Sequence, residues 1–182
     1  MFRQVIYKLL ERSLNRAYTK RLAEQGTLPR GVFWRNQATQ FARFDALLST
    51  VYKISPMAYP AIADIGCGYG AMFDFIHKTP RYKDLEYRGF DINRQMINAC
   101  KIKFPENSQC FAVGKQPAAA VNFCLFSGTF NLCHTTNVTL WEDYIFANLQ
   151  QCWNRSRNGL ILNLLCAPQS RIQGQIFYAD RQ

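Results

Sequence analysis

The amino-acid sequence predicts a three-layer α/β fold in which helices cover both faces of a mostly parallel sheet. From residue 61 onward, short apolar runs alternate with segments of helical periodicity. The apolar runs contain few polar positions, as expected of strands that are buried on both faces. The chain has 182 residues, 48% of them hydrophobic, so it is long enough to bury one sizeable core.

Two amphipathic helices are predicted before the first strand. Apolar residues recur every three or four positions from residue 2 to about 25, and Gly26 and Pro29 then stop the helix. A second helix ends before Pro56. We therefore expect a single domain over residues 1–182, with N-terminal helices over 1–56 and a sheet-containing core over 57–182.

Five strands and three more helices are predicted in the core. The strands are expected near residues 61–65, 85–91, 108–113, 121–127 and 159–166. The helices are expected near 70–78, 93–103 and 139–157, and Asn158 and Gly159 form a helix stop for the last of them. Strands that alternate with helices in this way favour parallel pairing.

The net charge of +10 is the unusual feature of the composition. Such a surplus attracts RNA, an anionic membrane surface or an acidic substrate. The alternative is a solvated helix face that only keeps the protein in solution. Residues 1–45 contain only Glu11, Glu24 and Asp45 as acids, against the basic residues Arg3, Lys8, Arg12, Arg16, Lys20, Arg21, Arg30, Arg35 and Arg43.

Location and metal content are predicted from the apolar runs and the cysteines. No apolar run is long enough to span a bilayer, and the N-terminus lacks the features of a signal peptide, so we expect a cytoplasmic protein. The seven cysteines are odd in number and never spaced as CxxC. We interpret them as reduced core thiols and expect no metal site.

A glycine-rich stretch, "DIGCGYGA", follows the first predicted strand. Its Gly-x-Gly-x-x-Ala part fits a dinucleotide-binding turn, which would make the chain an NAD-dependent oxidoreductase. Asp64 stands two residues before Gly66 and disfavours that alternative. A carboxylate repels a pyrophosphate but attracts a cofactor that carries a sulfonium and an ammonium group.

A second acid, Asp91, ends the second predicted strand in "YRGFDIN", 25 residues after Gly66. A carboxylate at this end of a parallel strand can accept hydrogen bonds from both hydroxyls of a ribose. The alternative is that Asp91 is only the N-cap of the helix that begins near Asn93.

"DIGCGYG" resembles motif I of the class I S-adenosylmethionine-dependent methyltransferases, which have a Rossmann-like fold. "VNFCLFSGTFNL" and "GLILNLL" resemble the fourth and fifth strands of a bacterial, largely uncharacterised, small-molecule-type subset, so the resemblance covers roughly residues 30–180. The family's ribose acid and adenine-covering apolar residue correspond to Asp91 and Ile92. The resemblance implies S-adenosylmethionine as cofactor, S-adenosylhomocysteine as product, and the cofactor-binding residues Asp64, Gly66, Cys67, Gly68, Asp91, Ile92, Ser127 and Gly128.

Two positions depart from the family pattern: Lys115 stands where many members have an acid that bonds adenine, and Asn122 stands where an Asp often opens strand four. Acceptor contacts are expected after strand four, at Ser127, Gly128, Thr129, Phe130, Asn131 and His134. His134 is a weak candidate for a general base, and the alternative is an ordinary loop histidine. An aromatic wall for the acceptor, or simply core packing, is predicted for Trp34, Tyr69, Phe130 and Trp141.

We therefore expect methyl transfer to an unidentified, small-molecule acceptor. The alternatives are an RNA methyltransferase that uses the basic N-terminal helices and a cofactor-binding module without catalysis. Family members continue past strand five into a helix and an antiparallel hairpin, but only sixteen residues follow Cys166 here. Because sixteen residues should not supply a crossover helix and two strands, we expect the hairpin to be missing and the sheet to have five strands. We expect such a shortened chain to transfer methyl groups weakly and to self-associate through the strand-five edge.

Overall fold

The computed structural model describes residues 2–55 and 58–181, without the side chain of Phe2. The two predicted N-terminal helices are confirmed as α1 (Phe2–Gln25) and α2 (Gln37–Ile54), joined through a 3-10 turn at Pro29–Val32. Asn36 caps α2, because its side chain accepts a hydrogen bond from the Thr39 N–H at 2.9 Å. Within the described ranges, no helix is both long and apolar enough to cross a membrane.

The main sheet has five parallel strands in the order β3-β2-β1-β4-β5. The predicted fold class is therefore confirmed. The order reverses direction between β1 and β4, and ligands of open α/β sheets bind at such a point, beyond the carboxyl ends of the strands. The strands are β1 (Ala61–Ile65), β2 (Glu86–Asp91), β3 (Phe111–Val113), β4 (Val121–Ser127) and β5 (Ser156–Asn163), and the intervening helices are α3 (Ala71–Lys78), α4 (Arg94–Lys103) and α5 (Val138–Trp153).

Two apolar clusters pack on opposite faces of this sheet. Ile62 of β1 lies in the cluster formed with α2, α3 and α4, whereas its neighbour Ala63 lies in the cluster formed with α1 and α5. Phe123 and Cys124 of β4 divide in the same way. Successive side chains of a strand point to opposite faces, so the buried runs feed both layers.

The predicted boundaries of α5, β3 and β5 were wrong. Helix α5 ends at Trp153, and Asn158 and Gly159 lie inside β5 rather than ending a helix. The β4–β5 register shifts between Val121 and Phe123, and Gly159 has a φ of 144°. Glycine thus marks a bulge here. The third strand begins at Phe111 rather than near 108, because a 3-10 turn, Pro105–Cys110, precedes it.

The tail does supply strands, contrary to the prediction from its length. Strands β6 (Cys166–Ala167), β7 (Arg171–Gln173) and β8 (Ile176–Asp180) form a separate sheet in the order β6-β8-β7, in which β7 and β8 are an antiparallel hairpin. The hairpin packs on the loop after β4 and does not extend the main sheet. Among the described strands, none pairs with the outer edge of β5.

Candidate cofactor and acceptor site

A cavity opens at the carboxyl ends of β1, β2 and β4, beneath the N-terminal helices. It encloses about 980 Å³ of empty space, its open mouth included. All eight predicted cofactor-binding residues line it: Asp64, Gly66, Cys67, Gly68, Asp91, Ile92, Ser127 and Gly128. Their binding roles stay a prediction, but the structure brings them together in one place.

The glycine loop owes its shape to backbone that only glycine adopts easily. Gly66, Gly68 and Gly70 have φ values of 77°, 56° and 79°. A Cβ atom on Gly66 would lie 2.6 Å from Cγ2 of Thr129. The N–H groups of Gly66 and Cys67 both donate to the Phe90 carbonyl, at 2.7 and 3.0 Å, and this fixes the loop against β2. The result is a bare backbone surface beside the cavity.

Asp91 holds that loop as well as facing the cavity. Its Oδ2 accepts a hydrogen bond from the Gly68 N–H at 2.9 Å, and its Oδ1 accepts one from the Asn93 N–H at 2.8 Å. The N-cap of α4 is Asn93 itself, so the alternative that Asp91 is only a helix cap was wrong. Burial raises the pKa of Asp91 to about 6, and the two backbone hydrogen bonds oppose this shift. Each carboxylate oxygen retains a lone pair for a ligand.

Asp64 lies on the buried lining of the cavity rather than at its mouth, because it belongs to the central strand β1. The residue is 2% exposed, and its Oδ2 accepts a hydrogen bond from the Tyr87 hydroxyl at 2.7 Å. Burial raises the pKa of Asp64 to about 7; the Tyr87 hydrogen bond opposes this shift and the nearby Asp91 charge adds to it. A cation bound here would favour the ionised carboxylate.

Helix α1 also lines the cavity, which the sequence did not predict. Leu14 and Tyr18 contribute to the lining. The Asn93 amide donates hydrogen bonds to the Asn15 carbonyl and to Oγ1 of Thr19, each at 3.0 Å. The periodicity of the sequence predicted the helix and its apolar face, but it cannot show which part of the protein that face packs against.

The two departures from the family pattern lie in different places. Lys115 lines the cavity and forms an ion pair with Glu11 of α1 at 2.8 Å. Asn122 lies near the start of β4, accepts a hydrogen bond from the Ala61 N–H, and donates one to Oδ1 of Asn158. Only the change at Lys115 therefore bears on a ligand in the cavity.

The predicted acceptor residues separate into two groups. Ser127, Gly128, Thr129 and Phe130 line the cavity, and the buried Oγ of Ser127 has no hydrogen-bond partner within the described structure. All four predicted wall aromatics line it too: Trp34, Tyr69, Phe130 and Trp141.

Asn131 and His134 are not among the lining residues. Oδ1 of Asn131 accepts a hydrogen bond from the Leu165 N–H, so this side chain holds the tail. Nδ1 of His134 lies 2.7 Å from Oγ of Ser13, and burial lowers the pKa of this imidazole.

Comparisons with known proteins agree with this architecture. No family model matches the sequence. A curated relative, "Putative methyltransferase Rv1506c" of Mycobacterium tuberculosis, is 28% identical over 123 residues, which are 66% of this chain and 73% of the relative.

Two solved structures illustrate the structural similarity. A SAM-dependent methyltransferase of Leishmania major matches with a TM-score of 0.59 and 12% identity, over 90% of this chain and 68% of that one. Streptomyces venezuelae DesVI matches with a TM-score of 0.52 and 14% identity, over 74% of this chain and 59% of its own length. The predicted resemblance is thus confirmed: the chain has the fold of the class I S-adenosylmethionine-dependent methyltransferases.

Proposed function

We propose that the chain transfers a methyl group from S-adenosylmethionine to a small organic acceptor. The observation that carries the proposal is the single cavity in which the glycine loop, Asp64 and Asp91 meet the polar end of β4. The name of the Mycobacterium tuberculosis relative supports the same activity. A magnesium protoporphyrin IX methyltransferase of Synechocystis, solved with bound SAM, has the same fold at a TM-score of 0.54.

The residues of the cavity fit this cofactor. Asp91 has free lone pairs for the two ribose hydroxyls, and the resemblance assigns Ile92 to the face of the adenine. The glycine loop lets the ligand approach the backbone closely, and Asp64 places negative charge beside it. S-adenosylmethionine supplies an electrophilic methyl group on a sulfonium.

Catalysis then depends mainly on positioning. The acceptor atom supplies the electron pair of its new bond to carbon, the sulfur keeps the pair of the broken bond, and any acceptor proton passes to solvent. The protein has to align the acceptor with the methyl group and exclude water. Oγ of Ser127, which is buried and has no partner among the described residues, is the polar atom best placed to orient an acceptor.

Thermal unfolding with added ligands tests the cofactor. S-adenosylmethionine and S-adenosylhomocysteine should each raise the melting temperature, with a gain of about 2.7 kcal/mol at one hundred times the dissociation constant. NAD should give no such gain, and equal stabilisation by NAD would refute the assignment. Release of S-adenosylhomocysteine with any member of an acceptor panel distinguishes an enzyme from a module that only binds the cofactor.

RNA is the alternative acceptor, because basic residues concentrate in the first 45 positions. Binding of an RNA oligonucleotide that weakens steeply with salt, together with its methylation, would favour that alternative.

We take residues 1–182 as one domain, since α1 and α2 pack on the two faces of the sheet. The free cysteines suit a reducing compartment, so we place the activity in the cytoplasm.

We also propose that two copies associate through the edge of β5. Edge strands offer unpaired N–H and C=O groups to another chain, and Leu162 of β5 is exposed. Light scattering over a range of concentrations tests this. A Leu162→Lys variant should shift the scattering toward the monomer, whereas a mass that never rises with concentration would refute the proposal.

A further inference from the structure

A depression lined by arginines lies beside the cavity. Its lining consists of Arg21, Gln25, Arg30, Phe33, Trp34 and Arg35, and we call it the arginine depression. Trp34 lines both spaces, so the depression adjoins the cavity through one indole ring.

The backbone that forms the depression is tightly folded. A Cβ atom on Gly31 would lie 2.3 Å from the Gly26 carbonyl oxygen, so these two segments touch. Phe33 has a φ of 62°, which is rare for an aromatic residue, and its N–H donates to the Arg30 carbonyl at 3.2 Å. Strain of this kind is often found at binding sites, where the surrounding structure maintains it.

Aromatic rings and the backbone orient two of the nearby guanidinium groups. Nε of Arg21 donates to the Arg30 carbonyl at 2.9 Å, and its Cζ lies 5.2 Å from the centre of the Phe33 ring. Cζ of Arg43 lies 5.0 Å from the centre of the Trp34 ring. Stacked guanidinium groups keep their remaining N–H donors available for an anion.

The depression contains no opposite charge. Its lining has no Asp or Glu, and the ion pairs among residues 2–55 and 58–181 include none of Arg21, Arg30, Arg35 and Arg43. Three guanidinium groups around one depression repel one another. A carboxylate or phosphate placed between them would relieve the repulsion and accept paired hydrogen bonds.

The depression is also close to the expected point of methyl transfer. A Cβ atom on Gly128 would lie 3.1 Å from Cζ2 of Trp34, so the indole touches the backbone next to Ser127. The other side of the cavity carries Asp64 and Asp91, which would repel an anion. An acceptor with one negative group would therefore be oriented with that group toward the arginines and its far end toward Ser127.

We propose that the arginine depression binds the oxyanion of the methyl acceptor, and that the acceptors are small molecules that carry a carboxylate or a phosphate. This inference rests on the proposed methyl transfer, because it assigns the acceptor of that reaction.

The test uses the full chain and ligand-observed NMR titrations with benzoate, its neutral analogue benzamide, and inorganic phosphate, with and without S-adenosylhomocysteine. The variant is Arg30→Gln/Arg35→Gln, two exposed positions whose backbone contacts are retained. The control is Arg155→Gln/Arg157→Gln, which removes the same charge near the start of β5, at the opposite end of the parallel strands.

We expect at least one oxyanion to bind the wild type at least about tenfold more tightly than benzamide. A preference for benzoate would indicate carboxylate acceptors, and a preference for phosphate would indicate phosphorylated ones. The Arg30→Gln/Arg35→Gln variant should lose most of this binding, and the control variant should keep it. The affinity for S-adenosylhomocysteine should be the same in all three proteins.

The inference would be overturned by equal binding of benzamide and both oxyanions, by equal losses in the two variants, or by a tenfold loss of S-adenosylhomocysteine affinity in the Arg30→Gln/Arg35→Gln variant. The last result would assign the arginines to the cofactor carboxylate. Tighter binding of an RNA oligonucleotide than of either oxyanion, lost in the same variant, would also refute a small acceptor. Failure of S-adenosylhomocysteine to bind would instead refute the proposed function. The titrations without S-adenosylhomocysteine would still show whether the arginine depression binds an oxyanion.

Discussion

The two sides of the cavity are built in opposite ways. On the β1–β2 side, the backbone loop and both carboxylates are already held by hydrogen bonds, from Tyr87 to Asp64 and from Gly68 and Asn93 to Asp91. On the β4 side, Oγ of Ser127 has no partner, and the nearby arginines have no counter-ion in the described part of the chain. The first side is negative and preorganised, whereas the second has an unpaired hydroxyl and adjoins the positive arginine depression.

Under the proposed function, the difference separates the part of the cavity that binds the cofactor from the part that binds the acceptor. A cofactor shared by many enzymes can be bound by a fixed backbone loop and two acids, whereas an acceptor that differs between enzymes is bound by side chains from separate segments. Binding sites pair most of their polar groups with the ligand. We therefore propose that specificity for the acceptor is determined on the side with the unpaired groups.

The largest expected effect follows from Gly66→Ala, which tests whether the cofactor side depends on bare backbone. A side chain at a φ of 77° costs about 1–2 kcal/mol, and the contact with Thr129 at 2.6 Å adds about 1–3 kcal/mol of overpacking. We expect a loss of roughly 2–5 kcal/mol in the free energy of unfolding and no measurable cofactor binding. Urea denaturation and calorimetry would measure both.

Gly174→Ala is the matched control for that variant. Its φ is 55°, but a Cβ atom there meets nothing within 4 Å. It should therefore cost only the backbone strain and leave cofactor binding intact. A double variant, Gly66→Ala/Thr129→Ser, removes Cγ2 and should recover part of the lost stability; the absence of any recovery would contradict the clash.

The second prediction concerns Asp91, which we expect to act on both the ligand and the fold. Asp91→Ala should weaken S-adenosylhomocysteine binding about 10- to 100-fold, since charge-assisted bonds to the ribose are lost. It should also lower the free energy of unfolding by about 1–3 kcal/mol, because the Gly68 and Asn93 N–H groups lose their acceptor. Asp91→Asn keeps one acceptor oxygen, so its cofactor affinity and its free energy of unfolding should lie between those of the wild type and of Asp91→Ala. Unchanged affinity in calorimetry would leave Asp91 with a structural role only.

The third prediction uses pH to reveal the buried acids of the negative side. The raised pKa values of Asp64, about 7, and Asp91, about 6, mean that the folded chain binds more protons than the unfolded chain between about pH 4 and 7. Stability of the ligand-free protein should therefore fall as the pH rises through this window. Asp64→Asn removes one of these protons, so its stability relative to wild type should increase from pH 4.5 to pH 8.

Asp84→Asn, which changes an exposed acid, is the control for the pH experiment. Its stability should follow that of the wild type at every pH. Parallel pH profiles for wild type and Asp64→Asn would show that Asp64 is ionised throughout.

The smallest effect is expected for His134→Ala, in the loop after β4. The imidazole bonds Ser13 and is absent from the cavity lining, so we expect a loss of about 1 kcal/mol of stability and turnover within about twofold of the wild type. A loss of turnover of a hundredfold or more, with the cofactor affinity unchanged, would make His134 the general base after all.

The negative side was largely predictable from the sequence, because it consists of one contiguous loop and one acid at a strand end. Strands β1 and β4 were also predicted at their observed bounds, since each is a short apolar run that is followed by a glycine. The β4 side was not predictable in the same way. Trp34 was named as a wall residue, but its contact with Gly128 could not be predicted, because the two residues are far apart in the sequence. Leu14 and Tyr18 reach the cavity because of the way α1 packs, and the periodicity of a helix does not show what its apolar face packs against.

The bulge at Gly159 and the tail hairpin were mispredicted for a related reason. Asn-Gly after a helical segment has the same local signature whether it ends a helix or enters a bulged strand. In the tail, a two-residue turn at Gly174 and Gln175, both with positive φ, connects β7 directly to β8. No crossover helix is needed, because these strands form a separate sheet.

The attachment of the tail hairpin also determines when the site is finished during synthesis. The loop that carries Phe130 and Asn131 is secured from far along the chain: the Phe177 N–H donates to the Asn131 carbonyl, and the Cys133 N–H donates to the Gln175 carbonyl. Pairings between such distant segments form late in folding. We therefore expect a nascent chain to form its glycine loop before the loop after β4 is secured, and the proposed acceptor side to be completed only after β8 has left the ribosome.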